Sequence, residues 1–148
     1  MPESKELKFE LINKQNLYKG FFQLNKYQFK NELFEGGWSQ PFEREIFERG
    51  HAVAVLLLDP KKEVLVLVEQ FRPGAVGIVS SPWVLELVAG MIEVGETVEN
   101  VALRESVEEA GCEITRISKI CDYLVSPGGC TESICLMLGE VDSSLAFE

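Results

Sequence analysis

Gly90-Met-Ile-Glu-Val-Gly-Glu-Thr-Val-Glu-Asn-Val-Ala-Leu-Arg-Glu-Ser-Val-Glu-Glu-Ala-Gly111 is the stretch whose reading decides the fold. Its punctuation places a helix. Gly95-Glu96 makes a turn, Thr97 has the side-chain oxygen of an N-cap, Glu99 sits in the first turn, and Gly111 suits the left-handed position after a helix. Val98, Val101, Ala102 and Leu103 supply an apolar stripe to pack on a sheet. Glu105, Glu108 and Glu109 fall at i, i+3 and i+4, so they project from one side of the cylinder with Cβ atoms about 5–6 Å apart. Clustered carboxylates are hard oxygen ligands of the kind that bind Mg²⁺ or Mn²⁺. The alternative is a solvated acidic face, which a pair between Arg104 and Glu108 would stabilise by about 0.3 kcal/mol.

The residues on either side of this helix read as strands. His51-Ala-Val-Ala-Val-Leu-Leu-Leu58 is an apolar run of the buried kind, Asp59-Pro60-Lys61-Lys62 turns the chain, and Val64-Leu-Val-Leu-Val-Glu69 returns as a hairpin partner. Phe71-Arg-Pro-Gly74 opens a loop through Ser81, after which Trp83-Val-Leu-Glu-Leu-Val-Ala89 delivers a strand directly into Gly90. Glu86 interrupts that strand, either on an exposed face or held at the site. Downstream, Cys112 to Val125 reads as strand and turn, Ser126-Pro-Gly-Gly129 as a tight loop before Glu132, and Ile134-Cys-Leu-Met-Leu-Gly139 as a further strand. Upstream, Lys8-Phe-Glu-Leu-Ile12 alternates, and Phe22-x-Leu24 and Tyr27-x-Phe29 keep a period of two with the phase slip that a bulge between them would give. Asn31-Glu32 and Gly36-Gly37 offer turns, and Pro41 to Arg49 is extended. The expected organisation is a β-rich region over residues 1–48 and an α/β domain over 49–148.

Composition narrows the function classes. A chain of 148 residues, 46% hydrophobic and 26% charged, suffices for one core with a small appendage. A net charge of −10 argues against a surface for nucleic acid, which needs concentrated Lys and Arg. A small anionic substrate remains compatible with that charge where a metal supplies the cations. No signal-peptide run follows Met1 and no apolar stretch reaches about eighteen residues, so a cytoplasmic protein without a membrane partner is expected. Cys112, Cys121, Cys130 and Cys135 form no CxxC pair and His51 is the single histidine, which points to packed, reduced thiols and a structural histidine rather than a zinc or redox site.

Spacing carries the reading further. Gly90, five residues, Glu96, seven residues, Arg104-Glu105, two residues, Glu108-Glu109, one residue and Gly111 together resemble the long pattern of the Nudix hydrolase family. Ser106 departs from it, since the pattern prefers an aliphatic residue there; altered packing with intact chemistry is the expectation. Leu17-Tyr-Lys-Gly-Phe-Phe22, Arg44-Glu-Ile-Phe-Glu-Arg-Gly-His51, Glu69-Gln-Phe-Arg72 and Ser126-Pro-Gly-Gly-x-x-Glu132 look like the bacterial ADP-ribose pyrophosphatase branch, with Pro127 as a subgroup marker.

The resemblance implies an α/β/α sandwich around a mixed sheet, preceded by the small antiparallel β region. It implies Mg²⁺-dependent hydrolysis of ADP-ribose to AMP and ribose 5-phosphate, with Mn²⁺ as a substitute. The carbonyl of Ala89 with Glu105 and Glu109 would hold the metal, and Glu108 and Arg104 would complete the catalytic group. Phe21 would stack on adenine with Phe22 nearby; Arg44, Glu45, Arg49 and Arg72 would contact diphosphate and ribose; Ser126 and Glu132 would meet the terminal ribose; Met91 would line the pocket. Phe21 and Phe22 read equally well as core residues. A homodimer through the N-terminal region is implied as well. Relatives continue past the position of Glu148 through a loop, a strand and a helix, and that loop carries a glutamate that serves as base or completes the metal site; the expected domain is therefore C-terminally incomplete. Two alternatives stay open: a nucleotide-sugar pyrophosphatase of the GDP-mannose type, and a non-catalytic module that binds ADP-ribose.

Overall fold

The computed structural model describes residues 6–147, and the chain divides into two units, one of Met1–Arg49 with Ser126–Glu132 and one of Gly50–Val125 with Ser133–Glu148. In the first unit β1 (Phe9–Lys19), β2 (Gln23–Asn31) and β3 (Phe42–Glu48) form an antiparallel sheet in that order. β2 and β3 pair without interruption from Gln23 opposite Glu48 to Phe29 opposite Phe42, so the phase slip read between Leu24 and Tyr27 is not a bulge. The two alternating sets belong to the two faces: Leu24 pairs with Phe47 on one, while Tyr27 and Phe29 pair with Arg44 and Phe42 on the other. The register shifts lie in β1, between Leu11 and Asn13 and between Asn16 and Tyr18.

A polar network ties these three strands together. Glu48 accepts hydrogen bonds from the Tyr27 hydroxyl, from Lys14 Nζ at 2.9 Å and from Asn25 Nδ2 at 2.7 Å, while Asn25 Oδ1 accepts from Asn16 Nδ2 at 2.8 Å. The buried amide of Asn25 is thereby satisfied. The Tyr27 hydroxyl, followed by Lys14 and Asn25, holds the Glu48 carboxyl below its ordinary range. Ser126–Glu132 belongs to this unit because it runs along β3, with Phe47 N–H donating to Gly129 O at 2.8 Å and Thr131 N–H to Phe47 O at 3.1 Å.

The second unit is built on β4 (Ala52–Asp59), whose apolar run finds partners on both edges. The return from it is not one hairpin arm. β5 (Val64–Val66) pairs with the end of β4 at Leu57 to Asp59, the chain leaves at Leu67, and β6 (Val68–Phe71) pairs instead with β7 (Trp83–Glu86) as a separate ribbon. The next run also splits, at Leu87, so that β8 (Val88–Met91) returns to pair with Ala52 to Val55. β5 and β8 thus share one edge of β4, and each is short because the other occupies the rest of it. β8 runs through Gly90 rather than ending before it. α1 (Val98–Ala110) follows, then β9 (Arg116–Leu124) and β10 (Ser133–Glu140). β10 is parallel to β4 and antiparallel to β9, which makes the sheet mixed, in the order β5-β4-β10-β9 with β8 also on β4.

α1 begins and ends at the expected caps: Thr97 Oγ1 accepts from Asn100 N–H at 3.2 Å, and Gly111 has φ 69°. Val101, Ala102 and Ala110 bury against Val53, Val55, Leu57 and Val88, closing one face of the sheet. Leu103 does not belong to that stripe, being 39% exposed. Ser106 takes the buried place, and its hydroxyl donates to Cys112 O at 2.7 Å, so a polar group inside the core leaves no unmet hydrogen bond. Among the described residues α1 is the single α-helix, one of the two helical layers of the expected sandwich. No helix among them is long and apolar enough to cross a membrane. All four cysteines are free; Cys112 and Cys135 are buried, whereas Cys121 is exposed on β9, contrary to the expectation of packed thiols. His51 Nδ1 lies 2.8 Å from Ser133 Oγ, a structural contact.

Asp59 closes the β4–β5 turn from inside. Its carboxylate accepts from Ser143 N–H at 3.0 Å and Ser143 Oγ at 2.7 Å, and from the N–H groups of Lys61 and Lys62 at 2.9 and 3.1 Å. These donors, those of Ser143 foremost, hold it well below the usual carboxylate range although it is buried. A carboxyl with a folded pKa below its unfolded value of about 4 contributes fully above that value and loses its contribution as pH falls toward the folded one. Asp59→Ala is therefore expected to lower the thermal midpoint by several degrees at pH 7, with the gap to the native protein narrowing below about pH 4; calorimetry across that range reads both.

Candidate active site

β8 and α1 come together at Gly90. A Cβ built there would stand 2.2 Å from Glu105 Oε1, so the carboxylate occupies volume that any other residue would fill. One turn further along α1, Glu109 also faces the sheet: its Oε2 accepts from Ala89 N–H at 3.2 Å and its Oε1 from Gln70 Nε2 at 2.8 Å. Glu108 parts from these two. Its side chain is 57% exposed and meets Arg104 Nη1 at 3.1 Å. Arg104 also pairs with Glu105 at 2.8 Å and with Glu96 at 3.4 Å, a clamp that holds the start of the helix to its middle. The expected set of three carboxylates thus resolves into two inward groups and one outward.

Burial pushes the Glu105 carboxyl up, Arg104 opposes that, and the neighbouring charges of Glu109 and Glu108 add to it. Among the described residues no three His, Cys, Asp or Glu side chains converge as a metal cage. The inward carboxylates take their counterparts from a guanidinium, an amide and a backbone N–H. The donor chemistry nonetheless fits a hard divalent cation: two crowded carboxylates, one of them seated against a strand position that has no side chain. Glu105 and Glu109, with the carbonyl of Ala89 on the same strand, are the residues that would hold it.

The β6–β7 ribbon supplies the other polar groups of this unit. Arg72 Nε meets Glu86 Oε2 at 2.7 Å, which answers why an acid interrupts β7. A cleft of about 680 Å³ opens beside this pair, with Glu69, Ser80, Ser81 and Trp83 also on its walls; Glu105 and Glu109 are not among its lining. Its size suits a small-molecule ligand. Met91 follows Gly90 on β8 and is 39% exposed. Two residues absent from the sequence-based site belong to it by contact: Glu96, through Arg104, and Gln70, through Glu109. Glu96 stood in the spacing pattern; Gln70 had only its neighbours in Glu69-Gln-Phe-Arg72 to mark it.

In the first unit Phe21 is 87% exposed, which excludes the core reading, and meets Phe22 edge-on at 4.7 Å. Phe22 packs on Phe47 at 5.2 Å, and the Arg49 guanidinium lies 5.4 Å from the Phe22 ring. Arg49 Nε stands 3.3 Å from Glu132 Oε1 at an angle that makes an ion pair and no hydrogen bond, leaving that buried N–H without an acceptor among the described residues. Glu132 itself is buried. Arg44 and Glu45 point to opposite faces of the sheet: Arg44 lies over Phe42 at 5.0 Å and donates to Glu43 O at 2.7 Å, while Glu45 shares the face of Phe47. The Ser126 carbonyl accepts from Gly129 and Cys130 N–H groups, which closes the loop.

The family model of the NUDIX domain matches residues 48–146, the stretch that carries this sheet and its helix, and the chain belongs to that family. The ADP-ribose pyrophosphatase of Escherichia coli (strain K12) is 49% identical over 137 residues, and that of Haemophilus influenzae 49% identical over 140 residues, each alignment covering 93% of this chain. The chain spans just under two thirds of the length of these relatives, 66% and 64%. A GDP-mannose pyrophosphatase of Yersinia pestis is 34% identical over 135 residues, covering 90% of this chain and 67% of the relative. A solved structure titled as an ADP compounds hydrolase superposes with a TM-score of 0.68 at 20% identity, over 93% of this chain and 70% of its own, and shares the fold.

Carboxyl-carbon NMR titration of the metal-free protein is expected to give Glu105 a midpoint above the ordinary glutamate value of about 4.3. Glu109→Gln should bring that midpoint down, since it removes a neighbouring negative charge. A midpoint unmoved by the substitution would contradict the inward pairing of the two acids.

Proposed function

We propose that this chain is a Mg²⁺-dependent hydrolase that cleaves ADP-ribose to AMP and ribose 5-phosphate, acting in the cytoplasm as a homodimer. The observation that carries the chemistry is the pair of inward acids at Ala89-Gly90 of β8. The substrate is suggested by the 49% identity to ADP-ribose pyrophosphatases. Glu105 and Glu109 would hold a divalent cation there, which would supply charge neutralisation for the diphosphate and a lowered pKa for water. The chain's own residues supply the rest. Glu105 and Glu109 are the ligands, and Arg104 fixes Glu105 while drawing Glu108 outward. Arg72, braced by Glu86, presents a guanidinium to a phosphate or ribose oxygen.

In the first unit, Phe21 is free to stack on a base, and the Phe22, Arg49 and Glu132 cluster offers an aromatic surface beside a guanidinium. Arg44, Glu45 and Ser126 are assigned the diphosphate and ribose contacts of the family pattern, and Met91 the pocket wall. β1 is exposed along its whole length and carries Phe9, Leu11, Leu17 and Tyr18, which supports association through this region. The second reading, hydrolysis of a nucleotide sugar such as GDP-mannose, is favoured by the 34% identical relative.

A substrate panel with Mg²⁺ decides between them: faster turnover of ADP-ribose is expected, and faster turnover of GDP-mannose would overturn the preference. Binding without turnover of either would assign a non-catalytic module. Glu109→Gln is expected to cut turnover by at least ~10²-fold with the fold intact by circular dichroism. Arg72→Ala should chiefly weaken substrate affinity, read by titration calorimetry. Light scattering should report a dimer; a monomer at working concentration removes that part of the proposal.

A further inference from the structure

The geometry points to Gln70 as a positioning residue that presets Glu109 for cation binding; this rests on the metal-site reading above. β6 has left the main sheet, and along it the side chains alternate, with Val68 and Gln70 half-buried and Glu69 and Phe71 exposed. On the opposing strand Val84 and Glu86 are half-buried and Trp83 and Leu85 exposed, so one face of the ribbon carries Val68, Gln70, Val84 and Glu86 inward. Val68 packs against the core on this face. Beside it an aliphatic residue would be the ordinary choice at position 70, and an amide stands there instead.

Among the described residues that amide has one hydrogen-bonded partner, the carboxylate of Glu109, at 2.8 Å. Ala89 N–H takes the second oxygen at 3.2 Å. Two donors from two different strands, one on each oxygen, fix both the position and the plane of the carboxylate, whereas Arg104 attends to Glu96, Glu105 and Glu108. A neutral donor suits this place. A lysine or arginine would cancel the charge that a cation requires, and a further carboxylate would repel Glu109. A carboxylate oxygen accepts from an amide through one lone pair and keeps the other for a metal, so the bond organises the ligand without consuming it.

Gln70→Leu keeps the volume and removes the donor. Titration of Mn²⁺ into the substrate-free protein, followed by calorimetry and by electron paramagnetic resonance of free Mn²⁺, is expected to show roughly 10-fold weaker binding in the variant, within the range for outer hydrogen-bond partners of metal ligands. In steady state kcat should fall and the Mn²⁺ requirement rise, with KM for the nucleotide unchanged. Unchanged or tighter Mn²⁺ binding overturns the assignment, because Gln70 then competes for the oxygen or ignores it. A raised KM with normal Mn²⁺ binding also overturns it, placing Gln70's role in the stability of the ribbon that bears Arg72. Should the native protein itself bind no Mn²⁺, the metal-site reading falls and this assignment with it, an outcome distinct from the other two.

Discussion

Everything at the centre of this protein depends on a close approach that a single hydrogen atom makes feasible. Where Gly90 lacks a side chain, the carboxylate of Glu105 lies against the backbone of β8. On the same helix Val101 and Ala102 seat on Val53, Val55 and Leu57. A methyl group at position 90 would meet that carboxylate and turn it out of its place, so the missing side chain governs where the acid points.

Bringing acids to that spot has an electrostatic cost, and the neighbourhood is arranged to bear it. Arg104 answers Glu105 and Glu108 from within the helix, while Glu109 is answered from outside it by a strand amide and a backbone N–H. At Glu105 desolvation outweighs the guanidinium, and the carboxyl is held above its ordinary range.

The sequence made some of this legible because the relevant signals are local. Helix ends followed from Thr97 and Gly111, whose capping roles need nothing beyond the adjoining turn, and the buried character of β4 followed from an unbroken apolar run. What escaped depended on distant pairings. No glycine or proline marks the breaks at Leu67 and Leu87; they exist because β5 and β8 compete for one edge of β4, a fact that no window of residues contains. The face assignments of Leu24 and Tyr27 needed the register with β3. Helical spacing put Glu108 beside Glu105 and Glu109, but its side chain stands in solvent, paired with Arg104. Gln70 was marked only by the Glu69-Gln-Phe-Arg72 stretch around it, since an amide in an alternating strand is most often a solvated residue.

β1 lies at the border of its sheet, and its two register shifts bend the outer row of peptide groups out of line with any straight neighbour. A strand with a regular rim would invite copies of itself to add indefinitely. An irregular rim of this kind is a poor template for such growth.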